Sequence, residues 1–356
     1  MTVSGRFWLP GPVELHPDTA AALARPMIGH RLPDGEALAA SLQDRLRAVL
    51  GVRRPVALAT CSATGLMEAA IRGGVRERVL CVVGGAFGER FARVAEACDK
   101  DVVRLHVAEG TALEAETLAA MLDGPPVDAV TLVHAETSTG VLAPIETLLR
   151  LLRPLPDTVI IVDAVTSIGA TPVPIDAWGA DLVLGAPQKA LAGAPGVAFA
   201  VASDRFLERA RAQHDRGLYL DLVALHAAGE ARRFPQTPAL PICQALDVQL
   251  GRVLAEGLAA RHARHAAMRT MVEAWAEAHG IGILAPRGRR ADAVTALRVP
   301  PGRSALALAA DLRREGWVVG TGHGADADRL VRIGHMGENT PDQLTQLLAR
   351  LAERMR

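Results

Sequence analysis

Thr158-Val159-Ile160-Ile161-Val162-Asp163-Ala164-Val165-Thr166-Ser167 is a run of β-branched apolar residues that stops at an aspartate. A strand apolar on both faces has to be covered on both, which is the condition of a strand inside a parallel sheet. Working outward, similar short runs stand at residues 56–60, 79–83, 102–107, 129–134, 182–184 and 197–202. Between several of them lie Ala/Leu-rich stretches with helical period, as at residues 66–71, 89–97 and 114–122. Strands alternating with helices predict an α/β fold with a seven-stranded, mostly parallel sheet. After Pro241 the pattern becomes one long helical tract, residues 242–279, interrupted only by Gly251 and Gly257, and then shorter mixed elements. The organisation expected is an N-terminal arm (1–17), a large domain (18–255) and a smaller C-terminal α+β domain (256–356).

Composition narrows the function classes. The 356 residues are 50% apolar and 22% charged, a globular balance. The 39 acidic and 39 basic residues cancel, leaving no global field for nucleic acid or an anionic membrane. No run approaches the roughly 20 apolar residues of a transmembrane helix, and the N-terminus lacks a signal-peptide apolar region, so the expected location is cytoplasmic. Cys61, Cys81, Cys98 and Cys243 form no CxxC pair and no metal-like Cys/His spacing, so they read as buried thiols and no metal is expected.

Of the 39 basic residues only Lys100 and Lys189 are lysines. Lys100 sits in a charged turn, whereas Lys189 follows Leu182-Val183-Leu184-Gly185-Ala186-Pro187-Gln188, at the end of an apolar run. A lysine can cover apolar surface with its stem. It can also lose its proton and attack a carbonyl, which arginine cannot, and that is Schiff-base chemistry.

In an open α/β sheet the ligand sits beyond the carboxyl ends of the strands. After the first strand comes Thr60-Cys61-Ser62-Ala63-Thr64-Gly65, small and hydroxylated residues leading into a helix. They can serve as plain N-caps, or their free N–H groups can hold a phosphate. The second strand runs into Val83-Gly84-Gly85-Ala86-Phe87-Gly88. A dinucleotide reading fails there, because Val82 stands where the first glycine of GxGxxG is needed. Phe87, bracketed by glycines at an expected loop tip, can lie flat on an aromatic ligand or belong to the core. Asp163 ends its strand buried, which is costly without a cation, and a protonated pyridine nitrogen is such a partner. Phosphate cradle, aromatic face, carboxylate and amine follow in the chain order of one pyridoxal phosphate site.

On these residues the chain resembles the class V, fold-type I pyridoxal-phosphate aminotransferases, specifically the alanine–glyoxylate and serine–glyoxylate (serine–pyruvate) group. The likeness runs from Pro10-Gly11-Pro12 through His134-Ala135-Glu136-Thr137-Ser138-Thr139-Gly140, Asp163 to Ser167 and Gln188-Lys189 to Arg332-Ile333-Gly334-His335. The resemblance implies Lys189 as the Schiff-base lysine, Asp163 on the ring nitrogen, and Val165 and Phe87 on the two ring faces. It implies Gln188 near the phenolic oxygen, Ser62, Ala63 and Thr64 on the phosphate, Ser138 lining the site, and Arg332 and Gly11 at the substrate. In the family a Tyr and a Thr of the neighbouring subunit often reach the phosphate, and here Phe234 and Thr237 take those places. Phe87 stands where Trp is frequent, Ala63 for a frequent Gly and Pro187 for a frequent Ser.

The function implied is a homodimeric, pyridoxal-phosphate-dependent transaminase moving the amino group of a small amino acid, alanine or serine, to glyoxylate or pyruvate. Alternatives within the family are other donors (phosphoserine, aminoethylphosphonate, pyridoxamine) and a β-lyase or desulfurase. The last needs a nucleophilic cysteine in the C-terminal part, and none follows Cys243.

Overall fold

The computed structural model describes residues 6–355; of the expected arm, residues 1–5 lie outside the described residues. Seven strands form one sheet in the order Ala57–Ala59, Ala198–Ala202, Leu182–Gly185, Val159–Asp163, Ala129–Val133, Arg78–Val83, Asp101–His106. Only Ala198–Ala202 runs antiparallel to its neighbours. Each predicted strand is present, within two residues at either end. Their side chains divide between two cores, one on each face. Leu80, Val82, Ile160 and Val162 face one, while Val79, Cys81, Val83, Val159 and Ile161 face the other. This alternation within all-apolar strands is why the sequence shows no polar period there.

The helical tract breaks once, at Gly257 (φ +82°), giving the helices Leu240–Glu256 and Leu258–Ala278. Gly251 stays inside the first of them. Beyond lies a four-stranded sheet in which Val318–Thr321 and Thr295–Arg298 flank Leu330–Ile333 antiparallel. Its fourth strand is Phe7–Trp8, paired parallel with Val318 and Val319. The arm is therefore stitched into the C-terminal sheet, and Trp8 is fully buried in that core. The Arg287-Gly288-Arg289-Arg290 run is only in part a solvated loop. Arg290 donates to the Ala285 carbonyl at 3.0 Å, pairs with Glu273 and bridges to Val141. Among the described residues no helix is long and apolar enough to cross a membrane.

Candidate active site

Strand Val159–Asp163 is buried along its whole length and leaves Asp163 4% exposed at its end. The Asp163 carboxylate accepts the Val165 N–H at 2.8 Å and has no ion-pair partner among the described residues. Burial pushes its pKa up to about 7; the Val165 N–H works against that, nearby Glu136 adds to it and Lys189 opposes it.

The next strand, Leu182–Gly185, delivers Lys189, which is 6% exposed. Its Nζ donates to the Pro10 carbonyl, and Gly11 (φ +98°) packs so tightly on the lysine stem that a Cβ there would collide with it. Burial and the Arg332 charge bring the amine down to about 8, against the pull of Asp163 and Glu136. The lysine's turn is held from three directions. Val13 N–H donates to the Gln188 carbonyl at 3.1 Å. The fully buried Arg261 donates to the Ala190 carbonyl at 3.1 and 2.6 Å, and Gln249 to the Leu191 carbonyl at 2.9 Å. Neither Arg261 nor Gln249 was singled out from sequence. One arginine among 37 and one glutamine inside a long helix carry no local signal.

Phe87 lies 5.6 Å, ring centroid to Lys189 Nζ, from the amine. It is not at a loop tip: it is the second residue of the helix Ala86–Ala97. That helix starts directly after Gly85 because its first three N–H groups are met by side chains from residues 136–138. Ala86 donates to Ser138 Oγ (3.1 Å), and Phe87 and Gly88 donate to Glu136 (3.1 and 3.3 Å). Gly85 is required there, since a Cβ would strike both Glu136 and Ser138. Ser138 borders the cleft beside this helix, and its hydroxyl is already engaged, donating to Glu136 at 2.5 Å and accepting from Ala86.

The two helix N-termini nearest Phe87 and Arg90 thus differ. The one at Ala86 is capped from within the chain. At the other, Ser62 is the N-cap of the 12-residue helix Ala63–Gly74 and makes no side-chain cap bond; Gly65 N–H turns back to the Ser62 carbonyl at 2.9 Å, leaving the Ser62 hydroxyl and the N–H groups of Ala63 and Thr64 for an anion. Thr64 Oγ1 accepts from Arg90 at 3.4 Å, and the Arg90 guanidinium lies 4.7 Å from the Phe87 ring centroid. Arg332, 7% exposed at the middle of Leu330–Ile333, donates from Nε to the Thr321 carbonyl (2.6 Å) and from Nη1 to the Thr137 carbonyl (3.1 Å). Those two bonds fix the guanidinium plane and leave Nη2 for a ligand. Val165 is buried beside Asp163, and Gln188 is half-buried before Lys189.

Phe234 and Thr237 stand apart from this group. They line a small cavity with Leu58, Ala59, Thr60 and Tyr219, with Phe234 against the large-sheet core and Thr237 exposed. Beside the site opens a cleft of about 610 Å³, bordered by Gly85, Arg90, Arg93, His106, Ser138 and His323. No cluster of His, Cys, Asp and Glu among the described residues could hold a metal ion.

Pyridoxal phosphate fits these residues. A buried carboxylate without a cation matches a protonated ring nitrogen, the uncapped helix at Ser62 matches a phosphate, and an aromatic ring lies within reach of a lysine of depressed pKa. Comparison with known proteins agrees. Residues 88–347 match the class-V aminotransferase family. The chain is 35% identical to an uncharacterized aminotransferase of Methanocaldococcus jannaschii, over 92% of its own length and 87% of that protein's. It is 30% identical to an L-aspartate–glyoxylate aminotransferase of Paracoccus denitrificans, over 96% and 88%. The crystal structure of an alanine–glyoxylate aminotransferase from Nostoc sp. superimposes with a TM-score of 0.94 at 31% identity, covering 100% of this chain and 97% of that one.

Proposed function

The chain belongs to the class-V aminotransferases and is a pyridoxal-phosphate-dependent transaminase; from that premise we propose that it moves the amino group of alanine or serine to glyoxylate or pyruvate in two half-reactions. The observation that carries the reading is the proximity of four residues: Phe87 lies 5.6 Å from Lys189 Nζ, and Asp163 and Arg332 are near enough to act on the lysine's charge. When bound, the cofactor supplies a carbonyl for amines to condense with and a ring that accepts the electron pair of the donor's α-carbon.

The chain's own residues do the rest. Arg332 Nη2 holds the α-carboxylate of the donor, and the fixed guanidinium plane sets the angle at which the α-carbon is presented. Lys189 Nζ takes the proton that leaves the donor's α-carbon and would deliver it to the carbon that was the cofactor's carbonyl, the reverse transfer serving the keto-acid half-reaction. With a pKa of about 8 a useful fraction of the amine is neutral near pH 7. Asp163 keeps a proton on the ring nitrogen opposite it. Ser62, Ala63 and Thr64 hold the phosphate, with Val165 and Phe87 on the ring faces and Gln188 beside the phenolic oxygen. A second copy of the chain, bringing Thr237, completes the site.

A second reading has one observation in its favour. The cleft of about 610 Å³ is larger than a methyl group needs, and although Glu89, Glu109 and Asp326 also line it, Arg90 and Arg93 on its border offer guanidinium groups to a donor with an anionic tail. Initial rates with alanine, serine, phosphoserine, aminoethylphosphonate and pyridoxamine, each against glyoxylate and pyruvate, separate the two. Alanine or serine with either acceptor should give the highest kcat/KM. Turnover confined to the phosphorylated or phosphonate donors would reject the small-donor reading.

A further inference from the structure

Glu136 is 4% exposed, ionisable, and unaccounted for by the roles above. It lies in the short strand Ala135–Glu136, which follows the sheet strand Ala129–Val133 after a single residue and pairs with Val141–Leu142. Its carboxylate accepts four hydrogen bonds. Phe87 and Gly88 N–H reach one oxygen, and Ser138 N–H (3.1 Å) and Ser138 Oγ–H (2.5 Å) reach the other. No cation touches it within ion-pair distance among the described residues, so its charge is balanced by neutral donors and by the positive end of the helix Ala86–Ala97.

We propose that Glu136 is a positioning residue for this reaction: it rivets the start of the helix that carries Phe87 to the loop that carries Ser138, and it is the fixed anion beside Lys189 and Arg332. Two separate observations support the two halves. The helix has no local cap, because Gly85 has no side chain, so removal of Glu136 strips the bonds from its second and third N–H groups at once. Phe87 is at the second of those positions, and its ring orientation depends on that turn. The electrostatic half starts from placement: Arg332 Nη1 donates to the carbonyl of Thr137, the residue after Glu136, and Lys189 Nζ lies 5.6 Å from the ring of Phe87, whose N–H Glu136 holds. Lys189, Asp163, Arg332 and Arg90 are the charged groups nearest the lysine, and Glu89, Arg93, His106, Glu109, His323 and Asp326 line the open cleft beyond; Glu136 favours the charged forms of Lys189 and Arg332 and disfavours that of Asp163, while Arg90 and Arg332 oppose protonation of Lys189 and His323. Glu136 thereby offsets part of the cationic charge contributed by Arg332 and Arg90.

The inference rests on the reading of Lys189 as the Schiff-base lysine for its catalytic meaning, but its test does not. Glu136→Gln keeps the length and removes the charge; Glu136→Asp keeps the charge and withdraws the reach to Phe87 and Gly88. Because the chain has only two lysines, reductive methylation of the full-length apoprotein with labelled formaldehyde gives a separate NMR titration for Lys189, with Lys100 as internal control. Glu136→Gln should lower the Lys189 midpoint by at least about half a pH unit, with Lys100 unmoved. Glu136→Asp should leave that midpoint within about 0.2 units but weaken pyridoxal phosphate binding several-fold in an absorbance titration, as Phe87 is released. An unmoved Lys189 midpoint in Glu136→Gln overturns the electrostatic role. Wild-type cofactor affinity in Glu136→Asp overturns the positioning role, and this arm decides alone if the Gln variant does not fold. Failure of the Lys189 reading itself shows differently, as a wild-type holoenzyme without an imine absorption band.

Discussion

Burial moves Asp163 and Lys189 toward each other on the pH scale, the acid up to about 7 and the amine down to about 8. The folded apoprotein binds the Asp163 proton more tightly than the unfolded chain does. That contribution to stability is full below the ordinary value of 3.8 and is lost as pH rises through about 7. Asp163→Asn removes the dependence. The melting temperature of the apo variant should therefore gain on wild type from pH 5 to pH 7.5 and run parallel above it. A constant difference across that range would mean that Asp163 ionises normally. In the loaded enzyme the same change should cost more than tenfold in kcat/KM, about 1.4 kcal/mol of barrier, because Asn cannot hold the ring proton by charge. Arg332→Lys tests a different atom set. Two of the three guanidinium nitrogens are spent on the Thr321 and Thr137 carbonyls, and a lysine can reproduce neither the fixed plane nor the remaining donor. The donor KM should rise at least tenfold with cofactor affinity unchanged; equal loss of both would place Arg332 on the phosphate.

At the scale of elements, the arm joins the C-terminal sheet to the lysine. Gly334 N–H donates to the Trp8 carbonyl at 2.8 Å, and a Cβ on Gly334 would press into the Leu9 carbonyl, a backbone atom with no room to yield. The next residues, Pro10 and Gly11, meet Lys189. Gly334→Ala should cost about 1–3 kcal/mol of stability in urea unfolding and lower kcat further by loosening the contacts on Lys189. A variant as stable as wild type would contradict the tight docking of the arm. This joint was not legible in the sequence: a two-residue strand paired with residues more than 300 positions away has no local pattern. Strand Val159–Asp163 was legible because burial on both faces writes itself into every residue. Phe87 was only half legible. Its glycine-rich surroundings read as a loop, whereas the cap that starts the helix at Ala86 comes from Glu136 and Ser138, about 50 residues on. Glu136 had a weak signal, as the one acid in the hydroxyl-rich run from His134 to Gly140.

At the scale of the whole molecule, Thr237 is exposed, and Leu218 (91% exposed) and Met27 (71%) add apolar surface that a second copy could cover. Shared sites make a directional statement about mixed dimers. A Lys189→Ala chain paired with a Thr237→Ala chain should form one site with both lesions and one with neither, so activity should recover toward half of wild type. Activity no higher than the Thr237→Ala homodimer would assign both residues to the same chain's site. The central claim, a transaminase working through Lys189 on a small donor, is most directly tested by the visible absorption of the holoenzyme. L-alanine or L-serine is added without any keto acid, and glyoxylate afterwards. The account requires the band to fall on addition of the amino acid, with one equivalent of keto acid per site, and to return with glyoxylate, while Lys189→Arg shows neither change. A band indifferent to both amino acids, or one that does not return when glyoxylate is supplied, would contradict it.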